Sequence, residues 1–297
     1  MRVAAVDLGT NSTRLLVADA NGELTEVVRR LAITRLGQGV DTRGKLLPVP
    51  IARVRNVLSG YRRELEALGA ERTLAIATSA VRDADNGEAF LGEVEWSYGF
   101  TTRLLSGDDE AAMTLRGIGD LADGTLVVDI GGGSTELQVV GTPLRTSLQI
   151  GCVRLTERFG EDLDAIRAYV RTLLPELDAD RAVGVAGTVT TLAALDLGLA
   201  EHDAERTHGH VLTREAVTEQ TARIASLPLD ERAQIMEPGR APVIVAGAAI
   251  LVEILERYDL DGIEASERDI LHGAALAAAE LPEPTEGAAP PGAYTCC

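Results

Sequence analysis

Short apolar runs alternate with longer amphipathic stretches along the first part of the chain, and the two periodicities predict different elements. Apolar runs with a β period predict strands at 3–6, 13–17, 23–32, 73–77 and 101–105. Apolar side chains at helical spacing predict helices at 49–68, at 79–91 and from residue 108. This order of strands and helices is typical of an α/β fold.

The second half of the chain repeats the opening pattern. Strands are predicted at 125–130 and 136–140 on either side of a glycine turn. The segment 128–139, VDIGGGSTELQV, matches the segment 6–17, VDLGTNSTRLLV, at seven of twelve positions. We therefore expect two duplicated domains, each opening with a strand–Asp-x-Gly-x-x-Ser-Thr–strand hairpin. Their predicted bounds are 1–122 and 123–281.

The later elements follow the same alternation. Strands are predicted at 182–186 and 262–265, and helices at 189–195, 214–225, 241–258 and 269–281, with a loop over 200–211. Residues 282–297 are rich in proline, glycine and alanine and predict a flexible tail.

Composition restricts the class of protein. Hydrophobic residues form 45% of the 297 residues, which is enough for real cores. No apolar run approaches the ~18–20 residues of a membrane span, and Asp7 comes too early for a signal peptide. Three cysteines, at 152, 296 and 297, make no disulfide framework. We expect a cytoplasmic protein with no membrane partner.

Charge narrows the class further. The chain has 28 basic and 46 acidic residues and a net charge of −18, which disfavours a general nucleic-acid partner. Lys45, the single lysine, is followed by Leu46, so the chain has no P-loop. An acidic surface is also expected to repel a long polyanion.

The repeated hairpin carries groups suited to phosphate and a divalent metal. Glycines let backbone N–H groups approach an anion, and a serine hydroxyl adds a donor. A strand-end aspartate can hold Mg²⁺ directly or through water. Two facing copies would hold a phosphate chain from both sides; the alternative is a pair of ordinary β-turns kept by duplication. The candidate phosphate-binding residues here are Asn11, Ser12, Gly131, Gly132, Gly133 and Ser134.

With these motifs, the chain resembles the exopolyphosphatase / guanosine pentaphosphate phosphohydrolase family. That family belongs to the actin, sugar kinase and DnaK-type chaperone superfamily. The matching segments, in family order, are VDLGTNSTRLLVAD (6–19), ATSAVRDADN (77–86), LLSGDDEA (104–111), VDIGGGSTEL (128–137), GVAGTVTTLAAL (184–195), GRAPVIVAGAAIL (239–251) and SERDILHG (266–273). The resemblance implies two ribonuclease H-like domains with an interdomain cleft, and a homodimer.

The resemblance also assigns roles to carboxylates. It places the catalytic base on the glutamate directly before alanine in LSGDDEA, which is Glu110. A carboxylate can orient and deprotonate a water for in-line attack on a phosphoryl group. Asp129 and Glu136 become ligands of Mg²⁺ or of its water, and Asp7 a weaker candidate acting through water. Arg14 stands in the first copy where Glu136 stands in the second.

Other candidates lie at strand-to-helix turns. A guanidinium at Arg82 can hold two phosphate oxygens, although a surface arginine pairing with a neighbouring aspartate is the alternative. Gly187 and Thr188 can offer backbone or hydroxyl donors. Cys152 reads as a small buried residue and not as a nucleophile.

These observations predict an exopolyphosphatase that uses Mg²⁺ and water to release terminal phosphate, with short chains preferred. The alternative enzyme is a guanosine pentaphosphate 5′-phosphohydrolase, which shares the chemistry. The alternative outside enzymes is a nucleotide-binding switch or scaffold. Glu110 and Glu136 together favour hydrolysis over passive binding.

Overall fold

The structure, a computed structural model, describes residues 1–282, and the chain divides into two compact units. The first unit is formed by Met1–Gly117 and the segment that starts at Ile270, and the second by Ile118–Asp269. This differs from the sequence-based division, which assigned 123–281 to one domain. Residues 283–297, nearly all of the predicted tail, lie outside the described residues.

Unit 1 is built on a mixed sheet with the strand order β3-β2-β1-β4-β5. Its strands are β1 (Arg2–Leu8), β2 (Ser12–Ala20), β3 (Leu24–Ile33), β4 (Arg72–Ala77) and β5 (Thr101–Leu104). Its first helices are α1 (Val40–Arg43), α2 (Pro48–Leu68), α3 (Ser79–Arg82), α4 (Gly87–Tyr98) and α5 (Gly107–Ile118).

Unit 2 has the sheet order β10-β11-β9-β6-β7-β8. Its strands are β6 (Thr125–Ile130), β7 (Thr135–Val139), β8 (Arg145–Leu148), β9 (Arg181–Val185), β10 (Val211–Thr213) and β11 (Gly262–Ala265). Its helices are α6 (Cys152–Phe159), α7 (Leu163–Leu173), α8 (Ala186–Asp196), α9 (Ala204–Thr207), α10 (Arg214–Ser226), α11 (Leu229–Ile235) and α12 (Ile244–Arg257).

The predicted α/β class and the duplication are both confirmed. Strands β1 and β2 pair antiparallel, as do β6 and β7, and each first strand also pairs parallel with a later strand, β4 or β9. Read from one edge, the orders 3-2-1-4-5 and 8-7-6-9-11 correspond, and β10 extends the second sheet. The repeated hairpin therefore occupies the same place in each sheet.

The last helix, α13 (Ile270–Ala279), packs on the sheet of unit 1. It covers the face that carries Val3 and Ala5, while α2 and α4 cover the face that carries Ala4 and Val6. Strand β1 is consequently apolar on both faces, and every residue from Val3 to Val6 is fully buried. Two covered faces hold the end of β1, and hence Asp7, in a fixed position.

Some elements differ from the sequence predictions. The helix predicted over 79–91 is two helices, because the chain turns between Arg82 and Gly87. A Cβ on Gly87 would lie 1.9 Å from the carbonyl oxygen of Val81, so α4 packs directly on α3. The Asn86 side chain accepts from the Leu46 N–H and donates to its carbonyl, which holds this turn. Helices α1, α6, α7, α9 and α11 and strands β8 and β10 were not predicted, and α9 lies inside the segment 200–211 that was predicted as a loop.

Within residues 1–282, no helix is both long and apolar enough to cross a membrane.

We expect Gly273→Ala to destabilise unit 1 by about 1–3 kcal/mol, since an added Cβ on α13 would lie 2.0 Å from the backbone oxygen of Met113 in α5. The matched control is Gly92→Ala in α4, where an added Cβ meets nothing within 4 Å. That variant should gain about 0.5–1 kcal/mol, because alanine is the better helix former. Urea unfolding of both variants checks the pair. Equal stabilities would show that α13 does not pack closely on α5.

Candidate active site

The loop between β1 and β2 is held by its carbonyl groups. The Gly9 N–H donates to the Ser12 carbonyl at 3.0 Å, which closes the turn. The Thr10 carbonyl accepts from Gly37 N–H at 2.8 Å, and the Asn11 carbonyl accepts from Arg35 N–H at 2.8 Å. Because the neighbouring segment uses the carbonyls, the loop presents its N–H side outward, as an anion site requires.

The equivalent loop of unit 2 is held in the same way. The Gly131 N–H donates to the Ser134 carbonyl at 3.0 Å. The carbonyls of Gly131 and Gly132 accept from the first N–H groups of α6, those of Cys152 and Val153, at 3.0 and 2.9 Å. The loop thus caps α6, and its own N–H groups, apart from that of Gly131, donate to no acceptor among the described residues.

A close approach of backbone to backbone makes this arrangement possible. A Cβ on Gly151 would lie 2.4 Å from the backbone of Gly132, so a glycine is needed directly before α6. The Arg154 side chain, in the first turn of the helix, donates from Nε to the Gly133 carbonyl at 2.7 Å. Burial lowers the pKa of Arg154, although the group stays charged. Sequence reasoning missed Arg154 because its contact is with backbone.

Beside each loop, an aspartate on the first strand lies opposite a charged residue on the second strand. That second residue is basic in unit 1 and acidic in unit 2. In unit 1, Asp7 lies opposite Arg14, and the Arg14 guanidinium donates to Asp7 Oδ2 from Nε at 2.9 Å and from Nη2 at 2.7 Å. In unit 2, Asp129 lies opposite Glu136, and both are at least nine-tenths buried. Ser147 donates to Glu136 Oε1 at 2.7 Å. Two carboxylates opposite each other favour a bound cation.

Arg82 and Glu110 lie together in unit 1. Arg82 Nη1 donates to the Glu110 carboxylate and, at 2.8 Å, to the Leu105 carbonyl. Glu110 is 5% exposed. Arg82 Nη2 is buried and has no hydrogen-bond partner among the described residues. The alternative interpretation of Arg82, a surface arginine paired with a neighbouring aspartate, is wrong.

The acidic residues beside Glu110 have a structural role. Ser106 Oγ accepts from the Asp109 N–H at 3.2 Å, and Asp109 Oδ2 accepts from the Ser106 N–H at 3.2 Å. This reciprocal capping starts α5 and fixes the first turn that carries Glu110.

The buried Oδ1 of Asn11 has no hydrogen-bond partner among the described residues. A carbonyl oxygen accepts and does not donate, so this atom suits a water molecule better than a phosphate oxygen. The sequence prediction assigned Asn11 to phosphate; its side-chain amide nitrogen and its backbone N–H are the groups able to take that role.

In unit 2, Gly187 and Thr188 open α8, directly after the strand that pairs with β6. Val185, the last residue of β9, lies beside Asp129, and Ala186 has a φ of 63°. Such a left-handed non-glycine residue is uncommon and is held by its surroundings. The turn therefore brings α8 to the acidic pair.

Arg240 is a further residue of this region that sequence reasoning missed. A Cβ on Gly187 would lie 1.2 Å from Arg240 Nη1, so the guanidinium lies directly across this glycine. The motif GRAPVIVAGAAIL was singled out, but nothing in its spacing shows that its arginine reaches the α8 turn.

The sequence matches the model of a protein family over most of its length. The model of the Ppx/GppA phosphatase family matches residues 15–280. The chain belongs to the Ppx/GppA phosphatase family. The resemblance seen in the sequence is confirmed.

Relatives within the Ppx/GppA family carry two kinds of name. Exopolyphosphatase 2 of Mycobacterium tuberculosis is 38% identical, over 94% of this chain and 98% of that protein. The guanosine-5′-triphosphate,3′-diphosphate pyrophosphatase of Vibrio atlanticus is 30% identical, over 88% of this chain but only 56% of that longer protein. The crystal structure of the Aquifex aeolicus family member matches over 94% of this chain and 97% of that one, with 30% identity and a TM-score of 0.76.

In this Ppx/GppA chain, Cys152 is buried at the start of α6, as the sequence predicted. Burial raises the pKa of its thiol to about 11, and the positive charge of Arg240 only partly offsets this. Because the thiolate is the reactive form, the residue is a packing group and not a nucleophile.

We expect Cys152 to react very slowly with iodoacetamide at pH 8, where only about one thiol in a thousand is ionised, and its rate to rise about tenfold per pH unit towards pH 11. A variant with Cys296→Ser and Cys297→Ser isolates the signal, and mass spectrometry measures it. The same protein in urea serves as the control. Equal rates in folded and unfolded protein would show that the thiol is not buried.

Proposed function

We propose that the chain is an exopolyphosphatase that releases the terminal phosphate of inorganic polyphosphate, with Mg²⁺ and with water as the nucleophile. The likeness to Exopolyphosphatase 2, over nearly the full length of both proteins, supports the substrate. The observation that carries the chemistry is the buried contact between Arg82 and Glu110.

Arg82 has two roles in this mechanism. Its Nη1 fixes the Glu110 carboxylate, and its buried Nη2 is a donor with no protein partner among the described residues. A phosphoryl oxygen is the acceptor that fits a buried cationic N–H group. Arg82 thus positions the base and also stabilises negative charge that develops on the transferred group.

Glu110 orients the attacking water and accepts its proton at a carboxylate oxygen as the water attacks the terminal phosphorus. The Arg82 contact holds this carboxylate in one orientation. The outward N–H groups of the Asn11 loop, which belongs to the same unit as Glu110, would bind phosphate oxygens. The leaving group is the shortened polyphosphate chain.

The donor set of unit 2 fits Mg²⁺. This ion takes one or two carboxylates and fills its other positions with water and substrate phosphate. Asp129 and Glu136 supply two buried carboxylates at facing positions, and no cluster of three or more possible metal ligands occurs within residues 1–282. When bound, Mg²⁺ would neutralise phosphate charge. Asp7 is a weaker candidate, because its carboxylate is bound by Arg14.

Guanosine pentaphosphate hydrolysis is the second candidate function, since pyrophosphatases acting on that nucleotide are relatives at 30% identity. The proposal includes a cytoplasmic homodimer, in line with the family resemblance. Phosphate release from polyphosphate and from guanosine pentaphosphate, each with and without Mg²⁺, separates the two substrates. Faster turnover of the nucleotide at equal concentration would overturn the main proposal.

Glu110→Gln should lower kcat for polyphosphate by at least ~10²-fold, because an amide cannot accept the proton of the attacking water. Substrate binding should change little. The matched control is Asp108→Asn, another exposed acid of the same helical turn, which should keep most of the activity. Phosphate release under saturating substrate measures both. A fully active Glu110→Gln protein would remove this residue from the mechanism.

Asp129→Asn should raise the Mg²⁺ concentration needed for half-maximal activity by about tenfold or more, because one negatively charged ligand is lost. A Mg²⁺ titration of activity measures the shift, and titration calorimetry of Mg²⁺ without substrate gives an independent value. Asp120→Asn, an exposed acid of the same unit, is the control. Superimposable titrations of Asp129→Asn and wild type would show that Asp129 does not hold the metal.

A further inference from the structure

The basic residues of this acidic protein are unevenly distributed. Residues 27–63 contain nine basic residues and one acidic residue, whereas the rest of the chain has 19 basic and 45 acidic residues. The segment runs from the middle of β3 through α1 into α2. A local positive field can therefore exist in unit 1 in spite of the net charge of −18.

This basic segment packs against both elements of unit 1 that the mechanism uses. Its N–H groups at Arg35 and Gly37 donate to carbonyls of the Asn11 loop. A Cβ on Gly37 would lie 2.3 Å from Thr10 Cγ2 and 3.1 Å from Ala80 Cβ, so the segment also touches α3, which ends at Arg82. The segment therefore contacts the loop that carries Asn11 and the short helix that ends at Arg82.

Two arginines of the segment lie close together. Arg53 donates from Nε to the Thr34 carbonyl at 2.6 Å and from Nη2 to Gln38 Oε1 at 2.9 Å, and the same Nη2 lies 3.4 Å from the Arg35 carbonyl oxygen. Arg35 is exposed and has a φ of 50°, a left-handed conformation that neighbouring contacts must hold. Burial, followed by the charge of Arg35, lowers the pKa of Arg53.

Neither arginine has a carboxylate partner among the described residues. Other arginines of the segment do: Arg30 pairs with Glu64, Arg55 with Glu93 and Arg62 with Glu66. In a chain with this excess of acids, two adjacent cations without an acid are unusual, because like charges close together are costly. An external polyanion would relieve that repulsion.

We propose that Arg35 and Arg53, flanked by exposed Arg43 and Lys45, form an accessory surface that binds the polyphosphate units beyond the one being hydrolysed. This inference rests on the proposed exopolyphosphatase function. It refines the expected preference for short chains: the first units outside the catalytic groups meet positive charge, and only units farther along meet the acidic surface.

Arg35→Asn is the variant of choice, because asparagine tolerates the left-handed backbone and removes the charge. The ratio of kcat/KM for chains of tens of units to kcat/KM for tripolyphosphate should fall by about fivefold. Arg35→Lys should restore most of that ratio. The matched control is Arg63→Gln, an exposed arginine farther along α2 whose one acceptor within residues 1–282 is the Ser59 carbonyl.

The salt dependence of KM distinguishes the loss of a phosphate contact from a purely structural effect of the substitution. The slope of log KM for chains against log salt should become shallower by about one in Arg35→Asn, since one phosphate contact is lost. An unchanged ratio, or an equal loss for both substrates, would overturn the accessory surface. If wild type hydrolyses neither substrate, the exopolyphosphatase proposal fails, and equilibrium binding of the same two polyphosphates to wild type and Arg35→Asn still decides whether Arg35 holds the chain.

Discussion

One cross-strand position gives the two halves of this chain different charges at equivalent places. A buried aspartate is the next-to-last residue of the first strand of each hairpin and faces the residue seven positions later, Arg14 in one unit and Glu136 in the other. Facing opposite charges stabilise a sheet, and facing like charges destabilise it. The first hairpin is therefore neutralised internally by two hydrogen bonds from Arg14 to Asp7. The second concentrates negative charge, which favours a cation. The duplicated hairpins thus share their strand pairing and differ in charge at this one position.

The loops depend on a second constraint, which is where their carbonyl groups find partners. A tight turn has both N–H and C=O groups to satisfy, and it can bind an anion only if the carbonyls point away from it. Unit 1 meets this condition with the segment after β3, and unit 2 meets it with the first turn of α6. The carbonyl groups of the two loops thus accept hydrogen bonds from two unrelated segments of backbone. Because these contacts are hydrogen bonds between backbone groups, the side-chain pattern outside the hairpin does little to predict them.

This explains how far the sequence could predict the molecule. Strands β1, β2, β6 and β7, the repeat and the pairing of Asp129 with Glu136 follow from local periodicity and from the alignment of the two copies. The contact of Arg82 with Glu110 spans 28 residues and depends on how α3 and α5 follow neighbouring strands, which no local pattern specifies. Helix α13 was predicted, but not its sheet: it is apolar nearly all round, so its sequence shows that it is buried and not where. Arg240 reaches the α8 turn only because Gly187 has no side chain.

Net charge was the least informative property of the sequence. A value of −18 is the reason to expect no general affinity for nucleic acid, but it says nothing about the field at one loop, because screening limits each surface charge to about 8 Å at physiological salt. Arg35 and Arg53 lie beside each other, so the field at this loop need not follow the average over the chain. If the proposed accessory surface holds the substrate, a basic approach within an acidic exterior would favour polyanions short enough to lie on the basic part and would repel those that extend beyond it. Under that proposal, chain length would be sensed where charge changes sign along the surface, without any contact to the far end of the substrate.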